Sequence, residues 1–182
     1  MKELSLNILD IAENSVKANA KLIHISITEN DATLEIRITD DGVGMPDEIL
    51  KSVIDPFCTT RTTRKVGMGI PLFKFAAEQT GGSLSIKSTH IDSDANAHGT
   101  EVKALFYKNH IDFTPLGDII SSLTTLIQGH PDTDFLFEHK TTALSVRLDT
   151  RELREVLDDV PLDTFEVLQW IKDNLTEQYN QI

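Results

Sequence analysis

An α/β protein is what this chain predicts, on three observations. Stretches with a helical apolar period alternate with stretches that switch between apolar and polar residues at every second position. The switching stretches come in pairs, as hairpin strands do, and clusters of Gly, Pro, Asn and Asp punctuate the boundaries. With 182 residues, 40% hydrophobic and 25% charged, the chain can bury a core as one domain with an appendage or as two small ones.

The first element is a helix over residues 3 to 19. Leu4, Ile8, Ile11, Ser15 and Ala18 mark one side and Leu6, Leu9 and Val16 a second, with Asn7, Asp10, Asn14 and Lys17 stacked between them on a polar edge. Leu22 to Thr28 and Thr33 to Thr39 alternate around Glu29-Asn30-Asp31, a hairpin with one covered face. Asp40-Asp41-Gly42-Val43-Gly44-Met45-Pro46 is a tight loop leading into a short helix near Asp47. Residues 55 to 69 have no period, are rich in Thr and basic residues, and end in Gly67-Met68-Gly69. Ile70 to Gln79 is helical and Gly81-Gly82 stops it. Ser83 to Ser88 and Glu101 to Phe106 are strands joined by a polar connection.

Beyond Tyr107 the composition changes. Up to residue 107 there are 11 basic and 15 acidic residues; beyond it there are 6 and 14. The expected division is therefore 1–107 and an acidic α+β region over 112–182, read as an interaction or regulatory module. That region reads as a helix over 116–128, strands over 133–138 and 143–148, and helices near 150–158 and 163–177. Asp149 with Glu152, and Asp163 with Glu166, have capping-box spacing.

Charge and cysteine content narrow the function. A net charge of −12 repels a phosphate backbone, so no nucleic-acid partner is expected. The single cysteine, Cys58, cannot form an intramolecular disulfide, which suits a reducing compartment. Met1-Lys2-Glu3-Leu4 is not the start of a signal peptide, and no run approaches the ~18 apolar residues of a membrane span, so the expectation is a cytoplasmic protein without membrane insertion.

Three segments have residues suited to chemistry. On the first helix, the Asn14 carboxamide is a hard oxygen ligand suited to Mg²⁺, Asp10 could orient a water or hydroxyl, and Lys17 could neutralise phosphate charge. The same stripe also fits a solvated helix edge. Asp40, at the end of a strand, could accept from an exocyclic amine such as adenine's while Gly42 and Gly44 admit a base; a plain turn has the same letters. Arg61, Arg64 and Lys65 run into Gly67 and Gly69 at a helix start, where free N–H groups attract anions, or form an exposed linker.

In order, Asp10-x-x-x-Asn14, Asp40-x-Gly42-x-Gly44, Phe57-x-Thr59-Thr60-Arg61, Gly67-x-Gly69 and Gly99-Thr100 resemble the asparagine, first-glycine, phenylalanine, second-glycine and third-glycine boxes of the GHKL ATPases. The resemblance covers about residues 3 to 107. It implies a two-layer α/β sandwich, helices on one face of a mixed, mostly antiparallel sheet, with a small α+β C-terminal extension. It implies ATP and Mg²⁺ as cofactors, with Asn14 on the metal, Lys17 at the phosphates, and Asp40 on the adenine amine helped by Thr100. Gly42, Gly44 and Met45 would line the base pocket. Phe57 to Met68 would form a lid, with Arg61, Gly67 and Gly69 against the phosphates.

Two departures from the family pattern stand out. The residue four before the asparagine is Asp10 where the family has Glu or Asn, one methylene short of the Glu that acts as general base, so slow hydrolysis is expected. Lys65 stands where a glycine often opens the second glycine box. None of the six histidines is followed by an acid, as a histidine-kinase phosphoacceptor would be, and the asparagine box begins almost at residue 1. A phosphoryl acceptor is therefore expected on a partner protein, with two readings: a phosphoryl-transfer enzyme in signalling, or an ATP/ADP-sensing switch that controls docking to a partner.

Overall fold

The computed structural model describes residues 3–54 and 68–181. Helix α1 (Leu4–Lys17) is followed by strands β1 (Leu22–Glu29) and β2 (Thr33–Asp40), helices α2 (Asp47–Ile54) and α3 (Gly69–Gln79), and strands β3 (Ser83–Thr89) and β4 (Gly99–Tyr107). Then come α4 (Ile119–Gly129), strands β5 (Asp134–Lys140) and β6 (Ser145–Asp149), and helices α5 (Thr150–Leu157) and α6 (Phe165–Tyr179). The strands form one sheet in the order β3-β4-β2-β1-β5-β6. Among the described residues only the β1–β5 pairing is parallel. The expected mixed, mostly antiparallel sheet with helices on one face is what the chain builds.

Register explains how the core forms. Ile86, Val102, Ile38, Ile25, Phe137 and Leu148 are successive cross-strand partners, and all six are buried. This apolar row crosses the whole sheet and meets Ile8 of α1, Phe73 of α3, Leu123 of α4 and Ile171 of α6 in one continuous core. The alternate positions lie on the other face, where Glu35 pairs with Lys103 at 2.8 Å and Arg37 reaches Glu101 at 3.5 Å. Period-two alternation thus sends apolar side chains to the helices and charged ones to water.

Local chemistry sets the element ends. Asn30 Oδ1 accepts from Ala32 N and Thr33 N and closes the β1–β2 turn. The helix expected over 116–128 begins later, at Ile119, with Asp118 accepting from Ser121 N at 2.9 Å. The preceding carbonyls have another use: Pro115 O and Leu116 O accept from Leu4 N and Ser5 N and cap the start of α1. Asp149 caps α5 through Arg151 N, but Glu152 turns outward to Arg147. The capping box expected from Asp163 and Glu166 does not form, because α6 starts at Phe165 behind Thr164 and has no side-chain cap. Leu6, expected on a buried flank of α1, is 41% exposed.

The chain beyond residue 112 supplies two strands of this same sheet. β5 lies beside β1 with Ile23 opposite Phe135 and Ile25 opposite Phe137. Its outer residue, His139, is buried; Nδ1 lies 2.9 Å from the Tyr179 hydroxyl of α6, and Nε2 lies 3.3 Å from Glu29, which also pairs with Lys108. Burial pushes the His139 imidazole below its ordinary value of 6.5, against the opposing pull of Glu29, and burial drives the Tyr179 hydroxyl upward.

The sign of the linkage follows. An imidazole harder to protonate when folded contributes stability above its unfolded pKa, and that stability is lost as pH falls through 6.5 toward the lower folded value. Thermal melts at neutral pH and near pH ~5.5 are expected to show a fall in Tm that is smaller in a His139→Gln variant. An equal fall in both proteins would assign the pH dependence to other groups.

Candidate functional site

The covered apolar row nearest the end of the sheet changes character partway along. Phe135 and Ile23 are followed by Asp40, Thr100 and Ser88 as successive cross-strand partners. Asp40 is in phase with Ile36 and Ile38, so the alternation that buries those isoleucines turns its carboxylate toward the helix layer. There Oδ2 accepts from Ser15 Oγ of α1 at 2.6 Å, and Oδ1 accepts from Gly42 N at 2.9 Å and Thr100 N at 3.3 Å. A carboxylate with these donors is fixed in position and still half-exposed toward the loops.

Those loops are tied to the same groups. Ser88 Oγ lies 2.8 Å from Thr100 Oγ1 and accepts from Met45 N at 2.7 Å. His98 Nδ1 lies 2.6 Å from Gly42 O, and Val43 N donates to Ala18 O at the end of α1. Gly44 has φ +69°, and a Cβ there would lie 2.0 Å from Thr89 O, so this turn takes glycine only. Two hollows flank the end of β3 and share Ser88 and Thr89. One, of about 300 Å³, lies at Asp40, His98 and Thr100; the other, of about 570 Å³, lies at Met45, Pro46 and Asp47.

The second half of the site lies where α1 meets α3. Along α1, Asp10 and Lys17 are exposed, Asn14 is half-buried and Asn7 is buried, so the polar edge sinks at its N-terminal end. Gly69, first residue of α3, packs against Asp10: a Cβ on Gly69 would lie 3.1 Å from the Asp10 Cβ. Met68 gives α3 no side-chain cap and its first turn has no acid, so that end keeps its positive dipole beside the Asp10–Asn14 edge. Glu13, next to Asn14, faces elsewhere and pairs with His130 at 2.8 Å.

The structure therefore brings Asp40, Gly42, Gly44, Met45 and Thr100 together at one end, and Asp10, Asn14 and Gly69 at the other, with Lys17 one helical turn beyond Asn14. Arg61 and Gly67, with the rest of the expected lid up to that glycine, lie outside the described residues. Ser15, Ser88 and His98 take part in ways the sequence reading missed. Ser15 was legible only as a polar residue on an apolar face, and Ser88 needs the strand register to be seen beside Thr100.

These residues fit an adenine nucleotide with Mg²⁺ on the chemistry of their donors. A fixed carboxylate and two hydroxyls suit the amine edge of a purine, and a helix N-terminus with no acid in its own first turn suits phosphate. Among the described residues no group of three or more His, Cys, Asp or Glu could hold a metal. A divalent cation at Asn14 would rely on one carboxamide oxygen, phosphate oxygens and water, the habit of Mg²⁺.

Comparison with known proteins points the same way. The family described as histidine kinase-, DNA gyrase B-, and HSP90-like ATPase matches residues 2–110. Sporulation kinase B of Bacillus subtilis (strain 168) is 29% identical over 89 residues, 49% of this chain and 21% of that protein. Sensor protein SrrB of Staphylococcus aureus (strain NCTC 8325 / PS 47) is 34% identical over 93 residues, 48% of this chain and 16% of that protein. The chain thus spans about a fifth or less of these curated relatives. Among solved structures, the Aquifex aeolicus MutL ATPase domain complexed with ADP superimposes with a TM-score of 0.53 at 12% identity, over 95% of this chain and 88% of that one. The N-terminal domain of a DNA repair protein gives 0.53 at 17% identity, over 82% and 53%. At such identities the likeness is one of fold. The family match spans more than half the chain and takes in every site residue described above, so the chain belongs to the histidine kinase-, DNA gyrase B-, and HSP90-like ATPases.

Proposed function

We propose that the chain binds Mg-ATP between Asp40 and the α1–α3 junction and uses it for phosphoryl transfer to a partner protein in signalling, or for slow hydrolysis. The observation that supports this most directly is the Asp40 carboxylate, fixed by Ser15, Gly42 N and Thr100 N at the rim of a hollow. In this reading Asp40 accepts from the adenine amine, with Thr100 beside it, and Gly42, Gly44 and Met45 border the base. Asn14 offers its carboxamide oxygen to the metal, and Lys17 neutralises phosphate charge with Arg61, Gly67 and Gly69. Asp10 accepts the proton of the attacking hydroxyl or water. Mg²⁺ on the phosphates supplies charge neutralisation when bound.

A second reading, an ATP- or ADP-sensing switch, is favoured by a specific contact. Glu13 of α1 pairs with His130, the residue that ends α4, so the helix that would hold the metal also holds the C-terminal region. Nucleotide that shifts α1 would then be felt in that region, which acts as the regulatory module.

Calorimetric titration with Mg-ATP tests the shared premise. Asp40→Ala, with an unchanged circular dichroism spectrum, is expected to weaken binding by about 10- to 100-fold, the worth of a charged hydrogen bond. Wild-type affinity retained in that variant would place the nucleotide elsewhere.

Two substitutions, one at Asp10 and one at Gly69 beside it, separate the readings. Incubation with γ-labelled Mg-ATP, alone and with candidate partner proteins, is expected to release or transfer label in the wild type. Asp10→Asn is expected to lose about 100-fold in that rate, with nucleotide affinity kept. Gly69→Ala, which pushes on the Asp10 Cβ, is expected to slow the rate about tenfold at unchanged melting temperature. Tight nucleotide binding with no label release or transfer from the wild type would favour the switch.

A further inference from the structure

Far from the nucleotide site, α5 and α6 enclose a groove of about 420 Å³ lined by Leu153, Val156, Leu157, Val167, Trp170 and Glu166. Its apolar walls are unusually open to water. Of its lining, Val156 is 84% exposed and Trp170 50%, and Phe165 at 76% and Val160 at 46% are exposed nearby in the chain, so four large apolar residues stand out within fifteen positions. Helix α5 buries only Thr150 completely; Leu153 and Leu157 are half-covered. An amphipathic helix with its apolar face so thinly covered is a docking surface by composition.

The rim specifies what docks. Glu166 lines the groove, and Glu155, Asp158, Asp159 and Asp163, on α5 and the connection from α5 to α6, are exposed. The nearby arginines are already committed: Arg147 to Asp149 and Glu152, Arg151 to Asp149, Arg154 to Asp134. Lys172, on the same helix as Trp170, acts on Asp118 at the start of α4. The five rim acids thus have no cationic partner among the described residues, and they frame an apolar slot with negative charge.

The adjacent sheet edge is closed to strand addition at its centre. Gln178 of α6 accepts from Arg147 N at 2.8 Å and donates to Arg147 O at 3.1 Å, so one amide side chain occupies the backbone donor and acceptor that an incoming strand would need. A slot between two helices, beside a blocked edge, receives side chains rather than backbone. A second copy of this chain would bring the same acids face to face at a net charge of −12 each.

We infer that the α5–α6 groove binds an amphipathic helix of a partner protein, apolar on the side that enters the slot and rich in Lys or Arg on its flanks. The site lies outside the nucleotide pocket, and binding at it does not depend on the nucleotide reading being correct.

Trp170 is the sole tryptophan and lines the groove, so its emission reports occupancy directly. The probe is a tryptophan-free helical peptide of leucine and lysine, about 14 residues or roughly four turns long, set against the same pattern with glutamate for lysine. The full chain is expected to show a saturable blue shift with the lysine peptide, reduced by salt, and none with the glutamate peptide. Val156→Ser, at an exposed position that folding does not need, is expected to weaken binding about tenfold. Glu155→Lys with Asp159→Lys is expected to weaken it further and flatten its salt dependence. The inference is overturned by no shift with the lysine peptide, by an equal response to the glutamate peptide, or by unchanged affinity in Val156→Ser. It is overturned equally if sedimentation shows the chain alone forming a dimer in which Trp170 is buried.

Discussion

The Asp40 carboxylate is the constraint around which the rest of the site is arranged. It sits on the covered face of the sheet, where an unpaired charge would be expensive, and it is tolerated because Ser15, Gly42 N and Thr100 N all donate to it. Each donor comes from a different element: α1, the loop after β2, and β4. Satisfying one charge therefore fixes three pieces of backbone relative to each other. The same requirement gives the open side of the pocket its shape, since the turn through Gly44 has to pass against Thr89 O with no room for a side chain.

Much of this was legible in the alternation of β2. Ile36, Ile38 and Asp40 share a parity, and a charged residue continuing an apolar row is either a mistake in phase or a functional group. The letters alone left a plain turn open, and the bonds from Ser15, Gly42 N and Thr100 N are what single out the carboxylate. The helix edge with Asp10, Asn14 and Lys17 was legible by spacing, and the structure sets that edge against the glycine that opens α3. What spacing could not show was depth: Asn7 shares the edge and is buried.

The parts that were not legible are those that depend on contacts distant in sequence. Nothing in Asp134–Lys140 says that it lies parallel to β1, since its alternation would be the same at either sheet edge or in a separate sheet. Ser88 beside Thr100 likewise requires the β3–β4 register. The Asp163 capping box had the right letters and failed because the helix began one residue later, with Thr164 at the cap position, a displacement that propensity cannot resolve. Glu13 pairs with His130, which lies 117 positions away.

That last pairing joins α1 to the part of the chain beyond residue 112. Neighbouring residues on a helix point about 100° apart, so Asn14 and Glu13 cannot serve the same surface. Asn14 lies on the edge that meets α3, while Glu13 is turned to His130 at the end of α4. α1 is therefore a shared wall, with the start of α3 on one side and α4 on the other, and α4 in turn packs with α6 in the continuous core. A rigid helix cannot tilt toward one neighbour without moving against the other. The strand β5 pairs with β1 from Leu22 to Thr28, so the C-terminal region shares the sheet on which α1 packs. The Ser15–Asp40 bond ties α1 to that sheet as well, so the placement of α1 against α3, α4 and β2 is set as one.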